Sequence, residues 1–454
     1  MTGDQALPGA LPAAEPEPSR TTPPDGPIDW DLLPDTSTVT ADGHLSVGGV
    51  DLLELVDQLG TPVFVYDEDH LRTRCREAVA SFGTGVAYAT KAFLCKAMVA
   101  LALEEGMALD VSTGGELAVA LAGGASGESL VCHGNNKSSE ELAAALDAGV
   151  GRIVVDSFDE ISRLRALCAA GERFGPAARR TRLLVRVTPG IEAHTHEYVR
   201  TGQEDTKFGF SLASGAAAEA VELLRRQESF ELVGVHAHIG SQIFEVAAFA
   251  EEVAALAPIV VANRFSELCV GGGLGVAYVE GEVAPSISAW ARAVHSAASL
   301  AGLPPTVRLT AEPGRAIVAS AALTLYRIGT IKRLEGLRTY VAVDGGMSDN
   351  PRPVLYGSGY EAFLPRDPLA LRPQAARLVG KHCESGDVIV DDARLPGDLA
   401  VGDVVATPVT GAYGFSMASN YNRVMRPPVV FVSEGRWRVV VRRETIADLL
   451  ALEA

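Results

Sequence analysis

The stretch VAYATKAFLCKAMVALALEEGMALDV, residues 86–111, decides the fold. Its first apolar run is Val86–Ala89, helical spacing follows over Lys96–Glu105, and a second apolar run occupies Ala108–Val111. Two apolar runs joined by a helix are typical of a βαβ unit whose strands are parallel and buried on both faces. The first predicted strand leads within two residues to Lys91, so a cationic side chain is expected at a strand end.

The same unit recurs along the chain. Six more apolar runs are predicted as strands: Leu130–Cys132, Ile153–Val155, Leu183–Val187, Leu232–His236, Glu267–Val270 and Val307–Thr310. Helical spacing follows the earlier strands, as at Gly115–Ala122 and Ser139–Ala148. Eight buried strands alternating with helices predict an α/β fold, a closed (β/α)8 TIM-like barrel. An open doubly wound sheet is the alternative, because it is built from the same units.

We assign the barrel to residues 66–316, and the pattern of residue types in the sequence changes on both sides of it. Residues 1–27 are rich in proline and alanine and are predicted to be a disordered tail. Residues 28–65 are predicted to join a C-terminal β-domain, and VTADGHLSVGG within them predicts a hairpin around Asp42-Gly43. Residues 317–454 contain short β-branched runs between Gly, Pro and Asp turns, which predicts that this domain is mostly antiparallel.

Composition excludes several classes of protein. The net charge of -18, from 57 acidic and 39 basic residues, would repel a phosphate backbone, so no nucleic-acid partner is expected. The six cysteines form no C-x-x-C pair, so neither a disulfide framework nor a structural metal site is predicted, as suits a reducing cytosol. The chain shows no secretion signal and no apolar run long enough to span a membrane, and a cytoplasmic protein is expected.

Function in a parallel barrel concentrates at the C-terminal ends of the strands. Nearly all eight predicted strands end in polar, titratable or glycine residues, and we expect these residues to surround one mouth. They are Lys91, Asp110, His133, Asp156, Arg186, His236 and His238, Gly271–Gly273, and Glu312–Arg315.

Lys91 is the candidate nucleophile at this mouth. Most lysines are solvated surface residues, but burial at a strand end should lower the pKa of Lys91 and expose a free amine, as a Schiff base requires. Gly271–Gly273, and Gly314 beside Arg315, would let backbone N–H groups approach an anion, although glycine triplets also serve tight turns. A lysine facing two such loops predicts a phosphorylated aldehyde cofactor.

Two further strand-end residues are open to two interpretations each. His238 is either a buried structural histidine or a ring that stacks on a flat cofactor. Glu312 either makes a structural pair or faces a pyridine nitrogen, where a carboxylate would keep the nitrogen protonated and strengthen the electron sink.

These motifs resemble those of a known family. Four of them are similar to pyridoxal phosphate (PLP) dependent decarboxylases of the alanine-racemase fold: YATK at 88–91, HAHIGS at 236–241, GGG at 271–273 and EPGR at 312–315. Five more narrow the resemblance to the diaminopimelate decarboxylase family: HGNNK at 133–137, HTHE at 194–197, KFGF at 207–210, HCES at 382–385 and GAY at 411–413. The resemblance extends from about residue 35 to the C-terminus.

The resemblance implies a role for each matching residue. Lys91 would hold PLP covalently, His238 would stack on its ring and Glu312 would face its pyridine nitrogen. The phosphate side would be formed by Gly240, Ser241, Gly271, Gly272, Gly273, Gly314 and Arg315. The substrate would be bound by Arg315, Arg352, Tyr356, Glu384 and Tyr413, of which Tyr413 also touches the cofactor. Cys383 would donate the proton, and it would reach the active site of the other subunit in a homodimer with shared sites. Asp110 and Arg186 match in position, without an assigned role.

The implied reaction is decarboxylation of meso-2,6-diaminopimelate to L-lysine and CO2, the last step of lysine biosynthesis. Such a site needs arginines for the far carboxylate and an acid for the far ammonium, which Arg315, Arg352 and Glu384 would supply. A decarboxylase of ornithine, arginine or a carboxylated polyamine is the alternative, and it would place acids where the arginines stand. Alanine racemase would place an arginine at the pyridine nitrogen, and a non-catalytic PLP carrier would lack the long segment after Ala316.

Overall fold

The structure is a computed structural model that describes residues 26–169, 180–191 and 205–454. Of the tail predicted at residues 1–27, residues 1–25 lie outside the described residues, as does the HTHE motif at 194–197. The described chain begins with short elements: β1 (Thr38–Val39), β2 (Leu45–Val47), β3 (Val50–Asp51), α1 (Leu52–Leu59), β4 (Val63–Asp67) and α2 (Glu68–Phe82). The predicted hairpin is confirmed, because β1 and β2 pair antiparallel around Asp42-Gly43. It belongs to a separate three-stranded sheet, β1-β2-β3.

The eight strands predicted for the barrel are all present, and no strand end differs from the predicted bound by more than two residues. They are β5 (Ala87–Ala89), β6 (Ala108–Val111), β7 (Leu130–Cys132), β8 (Arg152–Val155), β9 (Thr181–Thr188), β11 (Phe230–His236), β12 (Glu267–Cys269) and β13 (Arg308–Thr310), with the short β10 (Phe210–Ser211) paired to β9. The helices are α3 (Lys96–Glu104), α4 (Gly114–Ala122), α5 (Ser139–Asp147), α6 (Phe158–Ala169), α7 (Ala216–Arg225), α8 (Ala247–Asn263) and α9 (Ile287–Leu300).

The sheet closes on itself, as predicted. All seven neighbouring pairs from β5 to β13 are parallel. The first strand then meets the last, because the N–H of Ala87 donates to the carbonyl of Ala311 at 3.0 Å and that of Ala89 to Pro313 at 3.1 Å. These two bonds distinguish a closed barrel from the open-sheet alternative, whose edge strands would have no partner.

The two ends of the barrel differ in chemistry. Near the N-terminal ends of three strands, Glu267 accepts hydrogen bonds from Arg152 at 2.6 and 2.8 Å and also pairs with Arg308. Above this ion cluster the interior is filled by a layer of small and branched side chains: Ala87, Val131, Val154, Leu184, Val233 and Cys269. The base of the barrel is therefore packed and closed, which leaves the C-terminal ends of the strands to form a cavity.

The second sheet contains the rest of the strands and is mostly antiparallel, as predicted. The remaining elements are α10 (Arg315–Val318), β14 (Ala322–Leu334), β15 (Arg338–Val343), α11 (Arg352–Tyr356), β16 (Gln374–Val379), β17 (Val388–Leu395), β18 (Val404–Pro408), β19 (Val429–Ser433), β20 (Arg436–Val441) and α12 (Ile446–Leu450). The sheet order is β17-β16-β15-β14-β4-β19-β20, with β18 also paired to β14. The strand β4 lies between β14 and β19, so the chain before the barrel contributes a central strand to this sheet.

One buried arginine connects three parts of the chain. Arg372, 1% exposed, donates to the carbonyls of Gly26 and Pro27 at 3.0 and 3.1 Å and pairs with Glu280 of the barrel and Glu361. The loop that contains Glu280, after β12, is thereby fixed against the β-domain.

Among the described residues, no helix combines the length and apolar character that crossing a bilayer requires.

Candidate active site

A cavity of about 680 Å³ opens at the C-terminal ends of the barrel strands. Eleven of the residues predicted for the site line it: Lys91, His238, Ser241, Gly272, Gly273, Glu312, Gly314, Arg315, Arg352, Tyr356 and Tyr413. Arg352, Tyr356 and Tyr413 come from the segment after the barrel. The barrel and the β-domain therefore both contribute residues to the cavity. Gly240 and Gly271 are buried next to lining residues.

Lys91 is the lysine of this cavity. All six lysines lie within the described residues, and among them Lys91 alone lines the cavity. Lys137, the other lysine after a barrel strand, is buried against Glu160 with its Nζ 2.9 Å from the carboxylate, so it has a structural role. The side chain of Lys91 has accessible surface because it faces the cavity, while the surrounding protein still shields it from bulk water.

The prediction of a lowered pKa for Lys91 is wrong for the chain by itself. Burial does act to lower this pKa, but the charges of Asp110, Tyr413 and Glu312 together outweigh burial, and the pKa lies above its ordinary value. One oxygen of Asp110 is buried and has no hydrogen-bond partner among the described residues, which leaves it available to the ammonium. The sequence could not show this, because the effect depends on acids from two other strands.

Glu312 is held by two histidines from different strands. The Nε2 atom of His133 lies 2.8 Å from one carboxylate oxygen and that of His236 lies 2.9 Å from the other. Burial would raise the pKa of Glu312, but the charge and hydrogen bonds of the two histidines hold it well below its ordinary value. Burial lowers the pKa of His236 to about 4, whereas Asp110 and Glu312 outweigh burial at His133 and raise its pKa. Glu312 is therefore an ionised carboxylate and His236 is neutral, while the pKa of His133 is shifted in the direction that favours its protonated form.

The ligand atoms of His133, His236 and Glu312 lie within 4.8 Å of one another, a spacing that a metal ion could also use. Each imidazole Nε2 is already within hydrogen-bonding distance of its own carboxylate oxygen, and the charge of Arg186 acts on the same cluster. Positive charge beside the cluster opposes a cation, so the arrangement is better suited to keeping Glu312 ionised.

The glycine-rich loop after β12 passes very close to its neighbours. Gly271 and Gly273 have φ angles of +59° and +113°, which L-residues with side chains rarely adopt. A Cβ atom on Gly272 would stand 2.4 Å from the carbonyl oxygen of Glu312. The backbone N–H of Gly272 donates to Nδ1 of His238 at 3.2 Å, which fixes the ring at the edge of the cavity. Burial lowers the pKa of His238 well below its ordinary value, so the ring is neutral.

Two buried guanidinium groups, those of Arg315 and Arg352, form the opposite wall. Arg315 donates to the Tyr278 hydroxyl at 2.6 Å and to Ser241 Oγ at 3.0 Å. Arg352 donates to the Tyr360 hydroxyl at 2.6 Å. Among the described residues, neither guanidinium has a carboxylate within 4.0 Å, so both positive charges are left for an anion in the cavity.

Cys383 and Glu384 do not line the cavity of their own chain. Both side chains are exposed, in the loop between β16 and β17. The preceding His382 is buried and fixes the loop, because its ring nitrogens lie 2.8 Å from Ser348 Oγ and 3.1 Å from Asn422 Oδ1. The loop is thus anchored while its two chemically useful side chains stay exposed, with Glu384 accepting a hydrogen bond from the Tyr421 hydroxyl at 3.5 Å.

The sequence assigned no role to several residues of this site. His133 and His236 stood in quoted motifs, and their position at strand ends was the available signal, but their shared contact with Glu312 spans 179 and 76 residues. Tyr278 and Tyr360 gave no motif signal at all. Arg186, left without a role, pairs with Asp156 at 3.3 Å and stacks over Phe208, which also lines the cavity.

The residues present fit PLP. Lys91 supplies an amine within a cavity of sufficient volume, Glu312 is ionised as a pyridinium partner must be, and His238 presents a neutral ring. Ser241, Gly273 and Gly314 provide small groups on one side, where a phosphate could approach the backbone.

Comparisons with known proteins agree with this fit. Residues 68–319 match the family model described as the pyridoxal binding domain of pyridoxal-dependent decarboxylases. Diaminopimelate decarboxylase of Mycobacterium tuberculosis (strain ATCC 25618 / H37Rv) is 47% identical over 442 residues, covering 93% of this chain and 97% of the relative. That of Bacillus subtilis (strain 168) is 43% identical over 442 residues, covering 93% and 98%.

A solved structure is similar over the same extent. The crystal structure of diaminopimelate decarboxylase from M. jannaschii in co-complex with L-lysine has a TM-score of 0.84 and 31% identity, covering 92% of this chain and 98% of that one. As its motifs predicted, the chain belongs to the diaminopimelate decarboxylase family of pyridoxal-dependent decarboxylases.

Proposed function

We propose that this chain is a PLP-dependent carboxy-lyase that converts meso-2,6-diaminopimelate to L-lysine and CO2, the last step of lysine biosynthesis. The names of its relatives support this activity. The observation that carries the choice of substrate is the pair of buried guanidiniums, Arg315 and Arg352, with no carboxylate partner in the described chain. A substrate with a second carboxylate at its far end would neutralise them, and a simple diamine precursor would not.

The cofactor side of the cavity performs the chemistry. PLP, when bound, supplies the electron sink for the electron pair that remains when CO2 leaves. Lys91 would hold it covalently, and the ionised Glu312 would keep the pyridine nitrogen protonated. The neutral ring of His238 would stack on it, and Gly240, Ser241, Gly271–Gly273 and Gly314 would surround its phosphate.

The substrate side of the cavity provides recognition. Arg315 and Arg352 would bind the far carboxylate, with Tyr356 and Tyr413 beside them. The Tyr413 ring already lies 4.9 Å from the guanidinium carbon of Arg315, so the two act together. Arg315 and Arg352 are buried, 9% and 4% exposed, which would strengthen their charged contacts.

We also propose that the protein acts as a homodimer in which Cys383 and Glu384 complete the active site of the partner subunit. Support comes from their exposure on an ordered loop and from their absence from the cavity of their own chain. Cys383 would return a proton to the α-carbon, and Glu384 would bind the far ammonium. A thiol suits proton donation because its unperturbed pKa of about 8.5 keeps it mostly protonated at neutral pH.

Complementation tests the shared site. Lys91→Ala and Cys383→Ala chains should each be inactive alone, and freely exchanging subunits should regain about a quarter of wild-type activity when mixed equally, because half of the dimers then hold one intact site. Homodimers of each variant, mixed under conditions that block exchange, are the control. Absence of recovery after demonstrated exchange would contradict a shared site.

The assay for the overall proposal is CO2 release from a panel of amino acids by the holoenzyme. We expect release from meso-diaminopimelate with L-lysine as product, and at most traces from ornithine, arginine or a carboxylated polyamine. Preferential release from any of these three would favour the alternative decarboxylase.

We also propose that the protein is cytoplasmic and has no nucleic-acid partner, because its net charge is -18 and its cysteines are unpaired.

A further inference from the structure

We propose that Tyr278 is a positioning residue that holds both arginines at the spacing needed for a far carboxylate and so determines substrate specificity. The inference rests on the proposed function, because it explains how the site would recognise the far carboxylate of the substrate. Tyr278 lies on the loop after β12, is 3% exposed, and lines the cavity.

The first contact is with Arg315. The Tyr278 hydroxyl accepts a hydrogen bond from one terminal nitrogen of Arg315 at 2.6 Å, while Ser241 accepts one from the other at 3.0 Å. The Nε atom of Arg315 is buried and has no partner in the described chain. Two fixed acceptors on the two terminal nitrogens define the plane of the guanidinium, which an anion must match to bind with two hydrogen bonds.

The second contact is with Arg352, through the ring rather than the hydroxyl. The guanidinium carbon of Arg352 lies 4.2 Å from the centroid of the Tyr278 ring, a cation–π distance. The Tyr360 ring meets Tyr278 edge-on, with centroids 5.3 Å apart, and its hydroxyl accepts from Arg352 at 2.6 Å. One tyrosine therefore contacts both cations, each with a different part of its side chain.

The backbone of Tyr278 is fixed as well. Its N–H donates to a carboxylate oxygen of Glu282 at 2.7 Å, and Glu280 in the same loop is paired with the buried Arg372. The loop is held at both the barrel side and the β-domain side. Tyr278 thus has little freedom to follow a guanidinium that moves, which is the property that a positioning residue requires.

The chemistry of these partners explains why an anion is selected. Carboxylate partners would orient the arginines equally well, but they would neutralise the positive charge. Phenol hydroxyls and ring faces are neutral, so Arg315 and Arg352 are oriented and keep their full charge. An ordinary buried tyrosine would satisfy its hydroxyl with a backbone carbonyl, as Tyr66 does with Gly411 at 2.8 Å.

Two ligands separate far-end recognition from everything else in the site. L-lysine keeps the far amino acid group of the substrate, and cadaverine is the same chain without that carboxylate. We would measure inhibition of CO2 release by each ligand for wild-type, Tyr278→Phe and Tyr278→Leu holoenzymes. Tyr340→Phe, which removes a hydroxyl from β15 outside the cavity, is the matched control.

Tyr278→Phe removes one hydrogen bond to a charged group, so inhibition by L-lysine should weaken about tenfold while inhibition by cadaverine stays within about twofold. Tyr278→Leu also removes the ring beneath Arg352 and should weaken L-lysine further. The unchanged cadaverine value reports that each variant is folded and loaded with cofactor, a result that a general structural role of Tyr278 would not give.

The failures are distinguishable. If wild type binds L-lysine and cadaverine equally, the far-carboxylate site itself is refuted, and the role of Tyr278 with it. If wild type prefers L-lysine and Tyr278→Phe and Tyr278→Leu keep the same preference, the proposed function stands and the role of Tyr278 is refuted. An equal loss for both ligands in the two variants also refutes it.

Discussion

Replacing Glu312 by Gln tests the charge arrangement at the cofactor side of the cavity. The wild-type carboxylate accepts two hydrogen bonds, at 2.8 Å from His133 and 2.9 Å from His236. An amide at the same place has one oxygen, so it can accept from only one histidine. Its NH2 group would face the Nε2–H of the other histidine, and two donors cannot bond to each other.

The structure determines which histidine cannot adapt. The Nδ1 atom of His236 is buried without a partner in the described chain. If His236 moved its proton from Nε2 to Nδ1 to accept from the amide, that N–H would be buried without an acceptor. Meanwhile His133 would keep the charge of Asp110, 3.7 Å away, but would lose the second of the two carboxylates that raise its pKa.

The expected loss of stability follows from these contacts. One charge-assisted hydrogen bond is lost and the other becomes a bond to a neutral acceptor, so the free energy of unfolding should fall by about 2–4 kcal/mol. All three groups are buried, so solvent screening does not reduce this figure. Urea unfolding of the cofactor-free protein at neutral pH measures it, and Glu312→Asp, which keeps the charge on a shorter side chain, is the comparison.

Activity should fall as well, because a neutral amide cannot hold a pyridine nitrogen protonated. We expect Glu312→Gln to bind PLP, seen as long-wavelength absorbance, and to lose at least about tenfold in kcat, with Glu312→Asp keeping more activity. A Glu312→Gln enzyme with wild-type kcat, or with a free energy of unfolding within about 0.5 kcal/mol of wild type, would refute the reasoning.

Three further predictions concern other parts of the molecule. Lys91→Ala should lose both covalent PLP and turnover, while Lys96→Ala, an exposed residue of α3, should keep both; pyridoxyl label on any other lysine after borohydride reduction would contradict this. Arg352→Ala should bind PLP normally and lose at least about tenfold in kcat/KM for meso-diaminopimelate, since a charge-assisted pair contributes about 1.5–3 kcal/mol; an unchanged kcat/KM would refute its role. Glu252 is fully buried without a hydrogen-bond partner in the described chain, and burial raises its pKa well above its ordinary value. The free energy of unfolding should therefore fall as pH rises from the ordinary pKa of a glutamate towards the higher pKa of the folded state. Glu252→Met should remove this pH dependence in urea titrations and stabilise the protein above neutral pH, whereas Glu251→Met on the exposed face should not.

The sequence was most informative where local pattern and burial agree. All eight barrel strands were predictable because a parallel strand is buried on both faces and therefore forms a continuous apolar run. The cavity residues at the strand ends were predictable for the same reason, because parallel strands end at one rim. The β-domain strands Arg338–Val343 and Arg436–Val441 were evident from their β-branched runs.

The contacts between strands could not be obtained this way. The pairing of His133 and His236 with Glu312 joins the ends of three strands. The raised pKa of Lys91 depends on Asp110 and Glu312, which follow strands other than its own. In the sequence alone, Tyr278 cannot be distinguished from any other tyrosine in an apolar loop. Its contact with Arg315 joins two loops of the barrel, and its contact with Arg352 exists only because the chain after the barrel returns to cover the mouth. Such features depend on closure and register, which a pattern of residue types does not encode.

The local charge of the cavity is opposite to that of the whole protein. The chain carries a net charge of -18, yet among the described residues that line the cavity four are basic (Lys91, Arg186, Arg315 and Arg352) and three are acidic (Asp110, Glu282 and Glu312). Beyond about 8 Å the negative surface is largely screened at physiological salt, so a ligand near the mouth responds to the cavity rather than to the whole. The phosphate of the cofactor and the far carboxylate of the substrate are both anionic groups of the kind that this local field attracts. The neutral partners of the two arginines preserve that field, because any acid placed beside them would cancel it before the substrate arrived.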